Sequence, residues 1–128
     1  MKRILIVDDN RVVLEAISLF FSCQLPECSV LKAADGRQAI ETMETMHVDL
    51  ILTDLNMPVV SGYQLIEYVK KNLPAAPVLG MTSARTPDVE ERLQRLGVPS
   101  CIEKPFDLDE VAHRISAALE QPAQPSAA

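Results

Sequence analysis

Aromatic side chains make up only 4% of the 128 residues, so the core this chain closes is expected to be mostly aliphatic. Cysteine is scarce as well: Cys23, Cys28 and Cys101 are odd in number, show no CxxC spacing, and have no histidine close enough in sequence to complete a zinc pattern. They read as reduced thiols, which excludes a disulfide framework. Positive charge is in deficit, with 12 Lys and Arg against 18 Asp and Glu and a formal net charge of −6. That balance repels phosphate backbones and anionic lipid at long range, and it argues against direct nucleic-acid or membrane binding. Long apolar runs are also missing. Met1-Lys2-Arg3 has the charge of a leader's start, but the apolar stretch behind it, Ile4 to Val7, is far too short for a signal core or a membrane span. The cytoplasm is therefore the expected compartment.

What is present is an ordinary globular composition, 48% hydrophobic and 23% charged, at a length that suits one domain. Four short apolar runs, Ile4 to Val7, Leu50 to Leu52, Val78 to Met81 and Ser100 to Ile102, lack polar alternation, and Ser29 to Ala33 is a less uniform fifth. Such runs suit strands buried on both faces. Between them apolar residues recur every three or four positions: Val13, Ile17, Phe20 and Phe21; Ala39, Ile40, Met43 and Met46; Leu65, Ile66 and Val69; Leu93 and Leu96; Val111, Ile115 and Leu119. Each set marks one face of a helix. Ser61 before Gly62, Thr86 before Pro87, and the Asp107 to Glu110 stretch read as helix starts, and Gly97 as a helix end. Residues 121–128, QPAQPSAA, have no periodicity and contain two prolines, so residues 1–120 form the expected domain and the rest a disordered tail or linker stump.

A chain reading β-α five times with short connections predicts a doubly wound α/β fold, a parallel sheet covered by helices on both faces. Ligands on such sheets sit beyond the carboxyl ends of the strands. The polar residues at those ends are Asp8 and Asp9 after the first strand, Asp54 after the third, Thr82 and Ser83 after the fourth, and Lys104 just past the fifth. Like charges about 4 Å apart repel by about 4 kcal/mol at an effective dielectric of 20, so three converging carboxylates call for a cation. Lys104 supplies one charge, and the remainder suits a hard divalent ion, Mg²⁺ with Mn²⁺ as a substitute. An open Mg²⁺ site beside a spare carboxylate is equipment for phosphoryl transfer, with Asp54 as nucleophile and Thr82 as a hydrogen-bond donor to the phosphoryl oxygens.

Taken together, Val7-Asp8-Asp9-Asn10, Asp54-Leu55-Asn56-Met57-Pro58 followed by Gly62, Pro77-Val78-Leu79 leading to Thr82, and Lys104-Pro105-Phe106 resemble the response-regulator receiver family from Lys2 to about Leu119. The resemblance implies a five-stranded (β/α)5 fold, flavodoxin-like or CheY-like, with strand order 2-1-3-4-5. It implies that Asp8 and Asp9 hold Mg²⁺, that Asp54 is the phosphoacceptor and a metal ligand, and that the backbone carbonyl of Asn56 completes the metal site. It further implies a cis Lys104–Pro105 bond and switch roles for Thr82 and its surroundings. Two positions depart from the family pattern: Cys101 stands where a mobile aromatic is usual, and Ser83 where alanine or glycine is common. No organic cofactor is implied. The implied partners are a histidine kinase or histidine phosphotransfer protein upstream and a separate protein or fused output domain downstream, with the chain itself a monomer or weak dimer. The implied function is a signalling switch in a two-component phosphorelay that catalyses its own aspartyl phosphorylation and dephosphorylation. A phosphatase with its nucleophile after the first strand and a flavodoxin-like nucleotide binder are the rival readings. The placement of Asp54 after the third strand and the acidic pair after the first argue against them.

Overall fold

Strand runs that are apolar on successive residues can be buried only if both faces of their sheet are covered, and that requirement organises this molecule. In the structure, a computed structural model describing residues 1–98, 101–104 and 107–120, ten elements alternate along the chain. They are β1 (Lys2–Val7), α1 (Arg11–Gln24), β2 (Cys28–Ala33), α2 (Gly36–Thr45), β3 (Leu50–Asp54), α3 (Gly62–Asn72), β4 (Val78–Thr82), α4 (Pro87–Arg95), β5 (Cys101–Glu103) and α5 (Leu108–Glu120). All strand pairings are parallel, in the order β2-β1-β3-β4-β5, as the resemblance implied.

Successive strand residues point to opposite faces, and the core divides accordingly. Leu5, Val7 and Ile51 pack with Ala39 and Met43 of α2, with Tyr63, Leu65, Ile66 and Val69 of α3, and with Leu93 of α4. Ile4, Ile6, Leu50 and Leu52 pack on the other side with Leu14, Ile17 and Phe21 of α1 and with Val111 and Ile115 of α5. The strand residues in both sets are fully buried, and each fully buried aliphatic side chain contributes roughly 1.5–3 kcal/mol.

Two helix faces differ from expectation. In α1 the inward residues are Leu14, Ile17, Ser18 and Phe21, with Val13 and Phe20 only half-buried. Three consecutive apolar residues, Val12, Val13 and Leu14, left the phase of that helix open, and packing selected Leu14. In α2 the helix stops at Thr45, and Met46 turns outward as its extended C-cap, 39% exposed. The expected helix starts are present. Ser61 and Gln64 form a reciprocal capping box, Thr86 caps a helix whose first residue is Pro87, and the Asp107 carboxylate accepts from the Asp109 amide at 2.9 Å. At the end of α4, Gly97 takes φ +80°, its amide reaches the Gln94 carbonyl at 3.0 Å, and that of Val98 reaches the Leu93 carbonyl at 2.8 Å. This double closure requires a left-handed residue, which glycine adopts freely. The expected strand start at Ser100, the cis bond at Pro105 and the tail from residue 121 lie outside the described residues.

Ser18 is an exception to good packing: its hydroxyl is buried without a hydrogen-bond partner among the described residues. Ser18→Ala removes an unsatisfied polar atom and improves helix propensity, so it is expected to stabilise the protein by roughly 0.5–1 kcal/mol in a urea melt. A destabilised variant would mean that the hydroxyl is satisfied in solution.

Candidate functional site

Parallel strands carry their carboxyl ends to one edge of the sheet, so the polar residues that terminate β1, β3, β4 and β5 meet there. Asp8 has no exposed surface, Asp54 is 6% exposed, and Asp9 lies open to solvent. One carboxylate oxygen from each of Asp8, Asp9 and Asp54 lies within 4.8 Å of the other two. Two of the three carboxylates are further oriented by the backbone: the Asn10 amide donates to Asp8 Oδ1 at 2.9 Å and the Asn56 amide to Asp54 Oδ1 at 3.3 Å.

Lys104 is the resident counter-charge. Its Nζ lies 2.8 Å from Asp8 Oδ2 and 3.6 Å from Asp54 Oδ2, and its backbone amide donates to the Thr82 carbonyl at 2.7 Å, which fixes the lysine against the end of β4. Even so the negative charge is in excess. The Asp54 carboxyl is pushed up to about 6, chiefly by burial; Lys104 pulls against that shift, while Asp8 and Asp9 add to it. The donors are three hard carboxylate oxygens without nitrogen or sulfur, which fits Mg²⁺ in preference to softer transition metals.

Thr82 is fully buried at the end of β4. Its hydroxyl donates to the Ala84 carbonyl at 3.3 Å and accepts from the Ala84 amide at 3.2 Å and from Asn56 Nδ2 at 3.4 Å. One donor and two lone pairs are thereby all occupied, each by a long bond. The side chain of Asn56 thus links the loop after Asp54 to Thr82, a contact that sequence spacing does not signal. Ser83 is exposed beside this site. Cys101 is buried against the helices below it, and burial raises its thiol pKa, which keeps it neutral and poorly nucleophilic.

Several exposed charges on α4 and just before it have partners. The Arg92 guanidinium lies 3.8 Å from the centre of the Tyr63 ring, Arg85 pairs with Glu90, and Arg95 pairs with Glu91.

Three converging acids and a lysine at the carboxyl edge of a parallel five-stranded sheet make an anionic site suited to a hard cation. Comparison with known proteins gives the family. The model of the response regulator receiver domain matches residues 4–116, and the chain belongs to that family. Aspartyl phosphoryl acceptance in two-component signalling is the family's general function, and acidic residues generally bind its Mg²⁺. Among relatives, the sensor histidine kinase RcsC of Escherichia coli (strain K12) is 29% identical over 123 residues, covering 92% of this chain and 12% of that protein. The regulatory protein AtoC of the same strain is 32% identical over 120 residues, covering 94% of this chain and 26% of that protein. The chain thus spans about an eighth and a quarter of these relatives. A CheY-like receiver domain protein from Methanospirillum hungatei JF-1 superposes with a TM-score of 0.86 at 24% identity, covering 94% of each chain. No helix among the described residues is long and apolar enough to cross a membrane.

Proposed function

We propose that Asp54 is the phosphoacceptor of this receiver, with Asp8, Asp9, Asp54 and the backbone carbonyl of Asn56 as the Mg²⁺ ligands. The observation that carries the reading is the convergence of three carboxylates within 4.8 Å around a lysine held 2.8 and 3.6 Å from two of them. In the transfer, an Asp54 carboxylate oxygen attacks phosphorus, the bond from phosphorus to the donor's nitrogen breaks, and the electron pair leaves with the donor imidazole. The Asn56 amide orients the attacking carboxylate through Oδ1. Lys104, already between Asp8 and Asp54, meets the charge that spreads over the phosphoryl oxygens, and the Thr82 hydroxyl exchanges its Ala84 carbonyl for one of them. When bound, Mg²⁺ supplies neutralisation of the remaining negative charge.

The donor in this reading is a histidine kinase or histidine phosphotransfer protein, and the output is a separate protein or a linked domain in the cytoplasm. Residues 1–120 act as the receiver unit, a monomer or weak dimer, and 121–128 as tail or linker. Thr82, Ser83 and Cys101 form the switch region, in which a small thiol replaces a bulky ring.

Intact mass after incubation with acetyl phosphate and Mg²⁺ tests the assignment. Wild type is expected to gain one phosphoryl group, and Asp54→Asn or chelation of Mg²⁺ to abolish it. An adduct that survives Asp54→Asn, or a wild type that takes neither phosphoryl nor beryllofluoride, would overturn the reading.

A further inference from the structure

The sheet order sets β4 between two anionic neighbours. On one side stands β3, which ends in Asp54; on the other stands β5, which ends in the exposed Glu103. The loop of residues 83–86 leaves β4 between them. On the β5 side the Arg85 backbone amide donates to Glu103 Oε2 at 3.1 Å, and the Arg85 guanidinium pairs with Glu90 in the first turn of α4. On the β3 side, among the described residues, the Thr82 hydroxyl accepts from Asn56 Nδ2 at 3.4 Å, and within the loop start it bonds the Ala84 amide and carbonyl at 3.2 and 3.3 Å. A carboxylate accepting an amide proton is charge-assisted and stronger than neutral bonds at that limit, so the hold to Glu103 is firmer than the one through Asn56.

Opposing directions follow from this geometry. To donate to a phosphoryl group on Asp54 the Thr82 hydroxyl must give up the Ala84 carbonyl, which frees the loop start to shift toward β3. That motion carries the Arg85 amide away from Glu103. The helix that follows is anchored by Leu93, its one fully buried residue.

We infer that Glu103 is a positioning residue of the switch: its carboxylate holds the loop toward β5 in the resting state and competes for it with the phosphoryl group on Asp54. The inference rests on the assignment of Asp54 as phosphoacceptor. Glu103 is distinct from the three carboxylates that converge at Asp54.

Beryllofluoride with Mg²⁺, titrated into the full 128-residue chain and followed by fluorine NMR, measures the competition. Glu103→Ala is expected to bind the probe about tenfold more tightly than wild type, the loss of one charge-assisted bond in the resting state. Glu103→Gln keeps a neutral acceptor for the Arg85 amide and is expected to fall between the two. Equal gains from Ala and Gln would assign the effect to net charge alone and overturn the clasp, as would no gain from Ala. Faster hydrogen exchange at the Arg85 amide in Glu103→Ala, and less so in Glu103→Gln, is the accompanying signature. A wild type that does not bind beryllofluoride would overturn the Asp54 assignment and the clasp with it, whereas a wild type that binds while Glu103→Ala gains nothing would overturn the clasp alone.

Discussion

Gly62→Ala is expected to cost more than roughly 3 kcal/mol in a urea melt, a large share of the 5–15 kcal/mol that holds a domain of this size together. A Cβ on Gly62 would stand 2.1 Å from the Asp54 carbonyl oxygen and 2.5 Å from the Leu55 Cα. Both are backbone atoms at the end of the central strand, so no side chain can swing aside to make room. The start of α3 is also fixed, by the capping box of Ser61 and Gln64 and by the Gly62 amide bond to the Leu55 carbonyl at 3.0 Å. Gly97→Ala offers a calibration: its strain is conformational, about 1 kcal/mol, and its nearest neighbour is the flexible end of Lys70 at 3.6 Å. If Gly62→Ala melted within 1 kcal/mol of wild type, α3 would not approach β3 as described. The same displacement moves the backbone that carries Asp54, so phosphoryl uptake is expected to fall along with stability.

Lys104→Met carries the second large effect. Asp8 has a fully buried side chain and Lys104 one that is 20% exposed, so the substitution leaves a buried carboxylate facing two others without its cation. Breaking a buried pair from one side costs 3–5 kcal/mol when burial is complete; with the partial exposure here about 2–3 kcal/mol is expected for the metal-free protein at pH 8. The pH dependence follows from Asp54, whose carboxyl is raised from 3.8 to about 6 in the folded state. A raised acid makes the folded state less stable as pH climbs from about 4 to about 6, because the unfolded chain releases that proton first. Lys104 opposes the rise, so its loss is expected to deepen the decline above pH 6 and to matter less in acid, where Asp54 carries its proton. Mg²⁺ should restore much of the lost stability by binding the folded state alone. Thermal melts across this pH range, with Mg²⁺ and with chelator, check both points, and a Lys104→Met loss that is flat in pH would argue that the lysine acts by packing.

Much of this was readable before any coordinates, for a definite reason. β1, β3 and β4 carry short apolar runs that lead directly into Asp8, Asp54 and Thr82, so strand ends and site residues coincide in the chain itself. Helix phase was less legible where apolar residues crowd, as at Val12 to Leu14, or where a periodic methionine, Met46, falls one residue beyond the helix. Contacts between residues distant in the chain were not legible at all. Nothing in spacing links Glu103 to the Arg85 amide, Asn56 Nδ2 to Thr82, or Arg92 to the Tyr63 ring, because each joins segments that only the finished fold brings side by side.

The sheet also acts as a bulkhead. Because neighbouring residues of one strand, such as Leu5 and Ile6, belong to different packing layers, a change of volume under α2, α3 and α4 has no direct path to the layer under α1 and α5. Tyr63, Leu93 and Cys101 all lie in the first layer. Mutations on the two sides should therefore sum, while those within one layer interact. The two layers can then accumulate substitutions on independent schedules, provided that the strands between them keep their register.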